Sequence, residues 1–270
     1  MTDPVVMART GLLDALEALE AHLDALVIVG AQAIYPHTGS AEVALAEYTT
    51  DGDVAVDPAL LGSDPLVEQA MRASGFTPDP RPSAIGSWIS SRGVPVDLMV
   101  PEAFAGPGRR GVRVPPHDPK AMRRTRGIEA ALVDKSKMVI RARAVADDVR
   151  EFEVSVAGPA ALLVAKLHKL RDRIGNPSRL DNKDAHDVYR LLRAVDTEAI
   201  RAATGRLLLQ EASAEVTREA LVVLEELFAR NSGARGSVMA GAAEELVGDP
   251  AAVAESVTLL AQDLLEALDS

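Results

Sequence analysis

The segments Val27-Ile28-Val29-Gly30-Ala31-Gln32 and Thr49-Thr50-Asp51-Gly52-Asp53-Val54-Ala55-Val56 decide the fold of this chain. The first is an apolar strand that runs into a turn of small residues, and the second is a strand that begins with two acids spaced i, i+2. Alternate residues of a strand point to the same side, so Asp51 and Asp53 project together with Cα atoms about 6–7 Å apart. Two carboxylates this close repel each other unless a cation lies between them. The pair is therefore a candidate site for a hard divalent ion such as Mg²⁺, which also binds substrate phosphates, and it favours phosphoryl or nucleotidyl transfer.

The composition is that of a protein with a substantial core. The 270 residues suggest one or two domains, and 47% of them are hydrophobic. The absence of cysteine excludes disulfides, thiolate metal sites and cysteine nucleophiles. No apolar run approaches the ~18–20 residues of a membrane helix, and the N-terminus lacks a signal-peptide pattern, so we expect no membrane contact and a cytoplasmic location.

Charge is distributed unevenly along the chain. The net charge of −11 argues against a protein that coats nucleic acid generally. Residues 109–143, however, contain eleven basic and three acidic residues, whereas residues 196–270 contain fourteen acids and five arginines. The basic run is expected either to steer a polyanionic acceptor such as tRNA or to be a solvated arm that balances the acidic tail. It contains no aromatic residue, so stacking on single-stranded bases is not supported.

Hydrophobic periodicity predicts an α+β fold. The predicted strands are 24–29, 51–56, 85–91, 94–100, 129–133, 138–143 and 151–156. The predicted helices are 9–24, 31–35, 66–73, 159–173, 181–194, 196–209, 213–230, 236–246 and 250–267. Residues 101–127, rich in Pro, Gly and Arg, are predicted to form a long ordered loop. The pattern changes at Gly158-Pro159, which predicts an α/β domain with a mixed sheet over 1–157 and an all-α domain over 158–270.

Asp97 is a third candidate metal ligand. It lies inside the apolar strand Val94–Val100, where an acid is costly unless it is paired or bound to a metal. If this strand pairs beside the Asp51 and Asp53 strand, three carboxylates converge, which is enough to hold Mg²⁺ for in-line attack of an acceptor hydroxyl on an α-phosphorus. The alternative is a polar turn at Asp51-Gly52-Asp53 and an acid at a strand end.

Two predicted helices of the C-terminal half carry charges beside their apolar faces. On the helix 159–173, Lys166 borders the buried stripe and Lys169 lies on the adjoining one, so both are expected to reach a triphosphate in an interdomain cleft. On the helix 181–194, Asp184 falls within the apolar face and requires a cationic partner. The alternative is that Lys166 and Asp184 form only an ion pair between helices.

These features together resemble the nucleotidyltransferase superfamily related to polymerase beta, and in particular its AbiEii/AbiGii toxin-type (MenT-like) branch, over about residues 20–195. Thr49-x-Asp51-x-Asp53 is similar to the small-hydroxyl-x-Asp-x-Asp motif of that branch. The segment Leu162–Arg173 is similar to its lysine-bearing helix. Arg179-x-x-x-Lys183-Asp184-x-x-Asp187 is similar to its basic-acid helix motif.

The chain departs from that pattern at two positions. The first turn usually contains Gly-Gly or Gly-Ser, but here it is Gly30-Ala31, so a serine hydroxyl that would touch the phosphates is missing. Tyr48 also stands where the branch has an arginine. The N–H groups of the turn can still bind phosphate at a helix N-terminus. Both departures affect nucleotide affinity and choice more than metal binding.

The resemblance implies a Mg²⁺-dependent nucleotidyltransferase, with a catalytic α/β domain followed by a helical bundle. The expected metal ligands are Asp51, Asp53 and Asp97. The expected nucleotide-binding residues are Gly30, Ala31, Gln32, Thr49, Lys166 and Lys169. The expected catalytic residues are Asp51, Asp53, Asp97, Lys166 and Asp184. The resemblance further implies an RNA acceptor, the 3′ end of tRNA, and a role as the toxin of a toxin–antitoxin pair with a cognate antitoxin.

Two other functions stay open at this point. The acidic helical tail would suit a cationic small molecule, which favours adenylylation of an aminoglycoside-type acceptor. The Gly30-Ala31 turn instead favours a fold that binds an NTP without turnover. Against the second alternative, an inactive site has no need to retain three acids.

Overall fold

The computed structural model describes residues 3–39, 43–46, 48–143, 148–175 and 181–270 of the chain. Within these ranges, one eight-stranded mixed sheet forms the N-terminal half. Its strands are β1 (Leu26–Val29), β2 (Gly52–Val56), β3 (Thr77–Pro78), β4 (Ser87–Ile89), β5 (Pro95–Pro101), β6 (Arg123–Thr125), β7 (Lys135–Arg141) and β8 (Glu151–Ala157).

The sheet places the two segments that decide the fold at its centre. Its strand order is β3-β4-β5-β2-β1-β8-β7, and β6 also pairs with β5. β1 is antiparallel to β2 and parallel to β8, while β2 and β6 both run parallel to β5. Every residue of β1 is buried, as is most of β2. Strands buried on both faces are expected to be continuously apolar, which is the pattern these segments show.

Helices surround the sheet and form the whole C-terminal half. The α-helices of the described residues are α1 (Pro4–Ala18), α2 (Ala31–Thr38), α3 (Val67–Ala73), α4 (Ala130–Val133), α5 (Pro159–Ile174), α6 (Asn182–Ala194), α7 (Thr197–Leu209), α8 (Glu211–Leu224), α9 (Arg235–Ala242) and α10 (Pro250–Asp269). A π-helical turn, Glu225–Ala229, continues α8. Within the described ranges, no helix combines the length and the apolar character needed to cross a membrane.

Aspartate side chains begin four of these helices. Asp3, Asp181, Asp196 and Asp249 precede α1, α6, α7 and α10, and each accepts a hydrogen bond from a backbone N–H of the first turn. These bonds satisfy donors that have no partner inside the helix. Proline occupies the first position of α1, α5 and α10, where its missing N–H costs nothing.

A continuous hydrophobic cluster joins the two halves of the chain. It includes Ile28, Val54 and Leu98 of the sheet together with Leu167 of α5 and Leu191 of α6. α5 packs on α6 and α8, and α2 contacts both α5 and α6. This packing places α5 beside the helix that follows β1. The division at residue 157 coincides with the change from strands to helices, but two separate domains stay a prediction.

The predicted fold class, an α+β fold with a mixed sheet followed by helices, is confirmed. Two element predictions were wrong. Residues 129–133, predicted as a strand, contain α4, because a short apolar run fits either structure and periodicity cannot separate them. The predicted loop 101–127 contains β6, an arginine-rich strand that pairs with β5.

Substitution of Gly86 tests the close packing of this residue against the backbones of β5 and β6. Gly86 has φ +77°, and a Cβ there would lie 2.4 Å from the backbone nitrogen of Arg123 and 2.7 Å from the carbonyl oxygen of Leu98. Gly93 has nearly the same φ, +80°, but nothing within 4 Å of its Cβ position. We expect Gly93→Ala to lower the free energy of unfolding by about 1–2 kcal/mol from backbone strain alone. Gly86→Ala should cost roughly 3 kcal/mol or more, because backbone atoms must also move.

Urea unfolding monitored by circular dichroism measures both free energies. Equal losses in the two variants would show that the close approach of β6 to Gly86 is not a constraint on the fold.

Candidate functional site

The turn after β1 brings a carboxylate against a glycine. Gly30 caps α2 with φ +67° and ψ −158°, a backbone conformation that favours glycine. A Cβ on Gly30 would lie 2.1 Å from Oδ2 of Asp53, so a side chain at this position would displace the carboxylate. The contact follows from the antiparallel register, in which Val29 pairs with Asp53. The glycine therefore sets the position of the acid as well as the turn.

The three predicted acids lie at one end of two neighbouring strands. Asp53 of β2 pairs in register with Asp97 of the parallel strand β5, and Asp51 precedes Asp53 by two residues. Burial raises the pKa of Asp53 to about 6, and repulsion from Asp51 and Asp97 adds to that shift, while Lys169 and Arg123 oppose it. The convergence predicted from sequence is therefore present in the strand register.

Two of the three acids already have partners. Nη2 of Arg123 lies 2.8 Å from Oδ2 of Asp97, in an ion pair whose carboxylate side chain is 20% exposed. The hydroxyl of Thr49 donates to Oδ1 of Asp51 over 2.8 Å. Among the described residues, none donates a hydrogen bond to the carboxylate of Asp53. Within the described residues, the central acid of the trio is thus the one with both carboxylate oxygens unused.

The donor set suits a hard cation, although the side chains are not yet arranged around one. Within the described ranges, no group of three His, Asp or Glu side chains is positioned to hold a metal ion. The reason is that Asp97 faces Arg123 and Asp51 faces Thr49. Carboxylate oxygens are the ligands that Mg²⁺ takes, and the mutual repulsion at Asp53 is what a divalent cation would relieve. The chemistry of these residues therefore suits Mg²⁺, and binding of the ion stays a prediction.

A cavity of about 260 Å³ lies between this end of the sheet and α5. Its wall includes Gly30, Asp53, Asp172 and the apolar residues Met99 and Ile128. The basic residues of the wall are Arg123, Arg124, Arg126, Lys166, Lys169 and Arg173. Six basic side chains and two carboxylates therefore line the wall, and each of the six bases also pairs with a carboxylate of the protein. Guanidinium and ammonium groups are the side chains that bind phosphate oxygens.

Lys166 is held in a buried ion-pair cluster. Its ammonium lies 2.9 Å from Oδ1 of Asp184 and 2.6 Å from Oδ2 of Asp187. Burial acts to lower the pKa of Lys166, but Asp187 and Asp184 more than offset this, so the pKa is raised. The structure thus contains the inter-helix ion pair that was the alternative interpretation of Lys166 and Asp184. Lys169, whose side chain is 40% exposed, also contacts Asp184 at 3.0 Å and is better placed to meet a ligand.

Gln32 supports the acid-bearing turn through its side chain. Its oxygen accepts from Nε of Arg9 at 2.7 Å, and its nitrogen donates to the backbone oxygen of Asp51 at 3.3 Å. The side chain is 2% exposed and is engaged by protein groups. A phosphate contact at this position therefore depends on the backbone N–H groups at the start of α2.

The structure divides the predicted site residues into two sets. Those that line the cavity are Gly30, Asp53, Lys166 and Lys169. Those that are not on the described cavity wall are Ala31, Gln32, Thr49, Asp51, Asp97 and Asp184. The Arg179 of the basic-acid motif lies outside the described residues.

Sequence reasoning missed the arginines of β6 as site residues. Arg123 and Arg124 belong to that strand and Arg126 follows it, and all three line the cavity. The sequence analysis included these arginines in the basic run but predicted a loop for the segment. It therefore did not predict that Arg123 pairs with Met99 in a parallel ladder. The available signal was the repeated arginine in Arg123-Arg124-Thr125-Arg126, directly before Gly127.

Acids of the C-terminal half hold the basic segment in place. Arg126 contacts Glu215 at 2.8 Å and Glu219 at 2.7 Å, both on α8. Arg171 of α5 also reaches Glu219, at 2.8 Å. Part of the basic run therefore does balance the acidic tail, as one of the two interpretations predicted, and these contacts fix the segment that carries β6 against the helices.

The comparisons with known proteins add little to this geometry. No protein-family model and no curated protein matches the chain. Among solved structures it is similar to the crystal structure of an antigenic nucleotidyltransferase-like protein from Paracoccidioides brasiliensis, with a TM-score of 0.41 and 14% sequence identity, over 79% of this chain and 93% of that chain. A similarity of this degree assigns neither an activity nor a substrate.

Replacing Lys166 tests the buried ion-pair cluster. Lys166→Met should lower the free energy of unfolding by roughly 3–5 kcal/mol at pH 7, because Asp184 and Asp187 would stay buried without their shared cation. The matched change Lys183→Met, at a more exposed partner of Asp187, should cost about 1 kcal/mol or less.

The pH dependence of that loss separates electrostatics from packing. In the wild type, burial acts to raise the pKa of both aspartates, but the lysines lower it, so the stabilisation is present above the unfolded pKa of about 4 and is lost at lower pH. Removal of Lys166 takes away a cause that lowers both pKa values, so they rise relative to the wild type, and the deficit should be largest at pH 7 and shrink towards pH 4. Urea unfolding at both pH values measures it, and a deficit that does not change with pH would contradict the assignment.

Proposed function

We propose that this protein is a Mg²⁺-dependent nucleotidyltransferase that moves an NMP from an NTP to a hydroxyl acceptor. The observation that carries the proposal is the position of Asp53. It lies in register with Asp97, two residues from Asp51, against Gly30, and on the wall of a cavity that six basic side chains line. Acids that bind a cation and bases that bind phosphate are thereby brought to one point, which nucleotidyl transfer requires.

Asp51, Asp53 and Asp97 would hold the metal. Bound Mg²⁺ would offset the charge of the phosphates and lower the pKa of the acceptor hydroxyl. Asp97 would accept the hydroxyl proton on a carboxylate oxygen. The acceptor oxygen then forms a bond to the α-phosphorus, the bond from that phosphorus to the bridging oxygen breaks, and pyrophosphate leaves.

The triphosphate would be held from both the helical side and the sheet side of the cavity. Lys169, Arg123 and Arg173 are basic, partly exposed and located on its wall. Lys166 contributes its charge from behind, since its ammonium is already bound to two aspartates. The backbone at Ala31 and Gln32 supplies further donors at the N-terminus of α2, and Thr49 acts indirectly, by orienting Asp51.

For the acceptor we favour RNA, at the 3′ end of tRNA, with the protein acting as a toxin that a cognate antitoxin restrains. This part rests on the resemblance to the AbiEii/AbiGii branch. It is supported by Arg109, Arg110 and Arg113, which are exposed on the segment that leads into β6. Such a basic segment beside a cavity lined by six basic side chains is suited to steering a polyanion.

Two observations favour other outcomes. The helices α7 to α10 carry most of the acidic tail, which would attract a cationic acceptor of the aminoglycoside type. The ion pair of Asp97 with Arg123 is the contact expected if the fold binds an NTP without turnover. Both alternatives are resolved by the same assay.

A labelling assay tests the proposed transfer. The wild-type protein is incubated with Mg²⁺, each α-labelled NTP in turn, and either total tRNA or an aminoglycoside panel. We expect labelled RNA, and at least a hundredfold less label with Asp53→Asn, because that change removes the central ligand. Asp57→Asn, at the other end of β2, is the matched control and should label as the wild type does.

The outcomes of this assay are distinct. If only aminoglycosides are labelled, the acceptor is a small molecule and not RNA. A wild-type protein that binds Mg-NTP by calorimetry but labels neither acceptor would be a binding module.

Thermal unfolding provides a measurement independent of turnover. Without metal, Asp53→Asn should melt above the wild type, since it removes a buried charge that Asp51 and Asp97 repel. Addition of Mg²⁺ together with an NTP should raise the midpoint of the wild type and leave that of Asp53→Asn nearly unchanged. Equal shifts in both proteins would place the metal elsewhere.

A further inference from the structure

One contact prevents the three acids from acting together. Nη2 of Arg123 lies 2.8 Å from Oδ2 of Asp97 and 3.1 Å from Sδ of Met99. Asp97 pairs in register with Asp53, but it is turned to the arginine and does not line the described cavity wall, whereas Arg123 does. The side chain that neutralises the acid is thus itself exposed to the cavity.

Arg123 has a hydrogen-bond donor from which no described protein group accepts. Its side chain is 39% exposed, and its Nε is buried without a hydrogen-bond partner among the described residues. The planar fork of a guanidinium binds a phosphate with two parallel hydrogen bonds, which a single carboxylate oxygen does not match. A polyphosphate entering between Arg123 and Lys169 would therefore compete with Asp97 for the guanidinium.

Removal of Arg123 would change the affinity of Asp97 for a divalent cation. Without Arg123 it would be an unpaired carboxylate beside Asp53, with Lys169 as the remaining cation that acts on Asp53, and such a group binds a divalent ion more strongly. The reverse also holds, because a divalent ion that draws Asp97 away leaves Arg123 available to phosphate. Two ligands that favour the same state raise each other's affinity by the same factor.

We propose that Arg123 is a positioning residue that exchanges between Asp97 and the polyphosphate, so that the metal site is completed only when a nucleotide occupies the cavity. This inference rests on the proposed function, since it takes a polyphosphate and a divalent cation as the ligands. It assigns to β6 a role in coupling the two. The exchange would keep the acids from binding a cation before the nucleotide arrives.

Metal affinity in the absence of nucleotide is the first test. Free Mn²⁺ is measured by electron paramagnetic resonance in titrations of the wild type, Arg123→Met and Arg110→Met. Arg110 is an exposed arginine of the same basic segment, so its replacement changes the net charge equally. We expect Arg123→Met to bind Mn²⁺ about tenfold more tightly than the wild type, and Arg110→Met to bind it within about twofold.

Anion affinity in the absence of metal is the reciprocal test. Inorganic triphosphate is titrated in EDTA by calorimetry. Asp97→Asn should bind it at least about fivefold more tightly than the wild type, because Arg123 is released. Asp172→Asn removes a carboxylate from the cavity wall without releasing Arg123 and is the matched control, with a smaller gain. Arg123→Met should bind triphosphate more weakly than Arg110→Met.

The results separate this inference from the proposed function. If Arg123→Met binds Mn²⁺ no more tightly than Arg110→Met, the exchange is wrong, even when the wild type labels an acceptor. If both titrations show the expected changes but no acceptor is labelled, the exchange stands and the transferase proposal fails. Circular dichroism checks folding, and if Arg123→Met is unfolded, Arg123→Lys and Asp97→Asn complete the test. Arg123→Lys keeps the charge without the fork and should give intermediate affinities.

Discussion

Repulsion among carboxylates at one end of two adjacent strands is the constraint on which the rest of this structure depends. Asp53 lies between Asp51 and Asp97 and cannot move away from them, because the register of β2 with β5 and the contact with Gly30 hold it. A protein gains no stability from such an arrangement. The surrounding cations, Lys169 and Arg123, reduce the cost without removing it, and strain of this kind is typical of functional sites.

The fold supplies the compensating charges from two directions. From the helical half, α5 presents Lys166 and Lys169, which the acids of α6 hold in place through ion pairs. From the sheet, β6 presents arginines whose segment is tied to α8 through Arg126 and its glutamates. Buried ion pairs contribute little net stability compared with apolar packing, so their value here lies in orientation. The six basic side chains named above all line the cavity.

Much of this organisation could be predicted from the sequence. The apolar strands and the helical periodicity after Gly158 predicted the α+β class. The prediction that Asp97 lies near Asp53 was conditional on the pairing of their two strands, and the structure contains that pairing. The site was less predictable. Periodicity locates Lys166 beside a buried face, but only packing shows that two aspartates bind its ammonium group. Arg123 belongs to a three-residue strand inside a Pro- and Gly-rich stretch, and so short a strand has no detectable period.

The sequence by itself therefore determined the fold class, most of the helices and strands, and the acids at the strand ends, because these depend on local patterns of apolar and charged residues. Only the tertiary structure decided which charges meet. The pairing of Arg123 with Asp97 joins residues that are distant in sequence through the parallel ladder of β5 and β6. Partners across such distances are set by how strands and helices pack, and no local pattern in a single sequence specifies that.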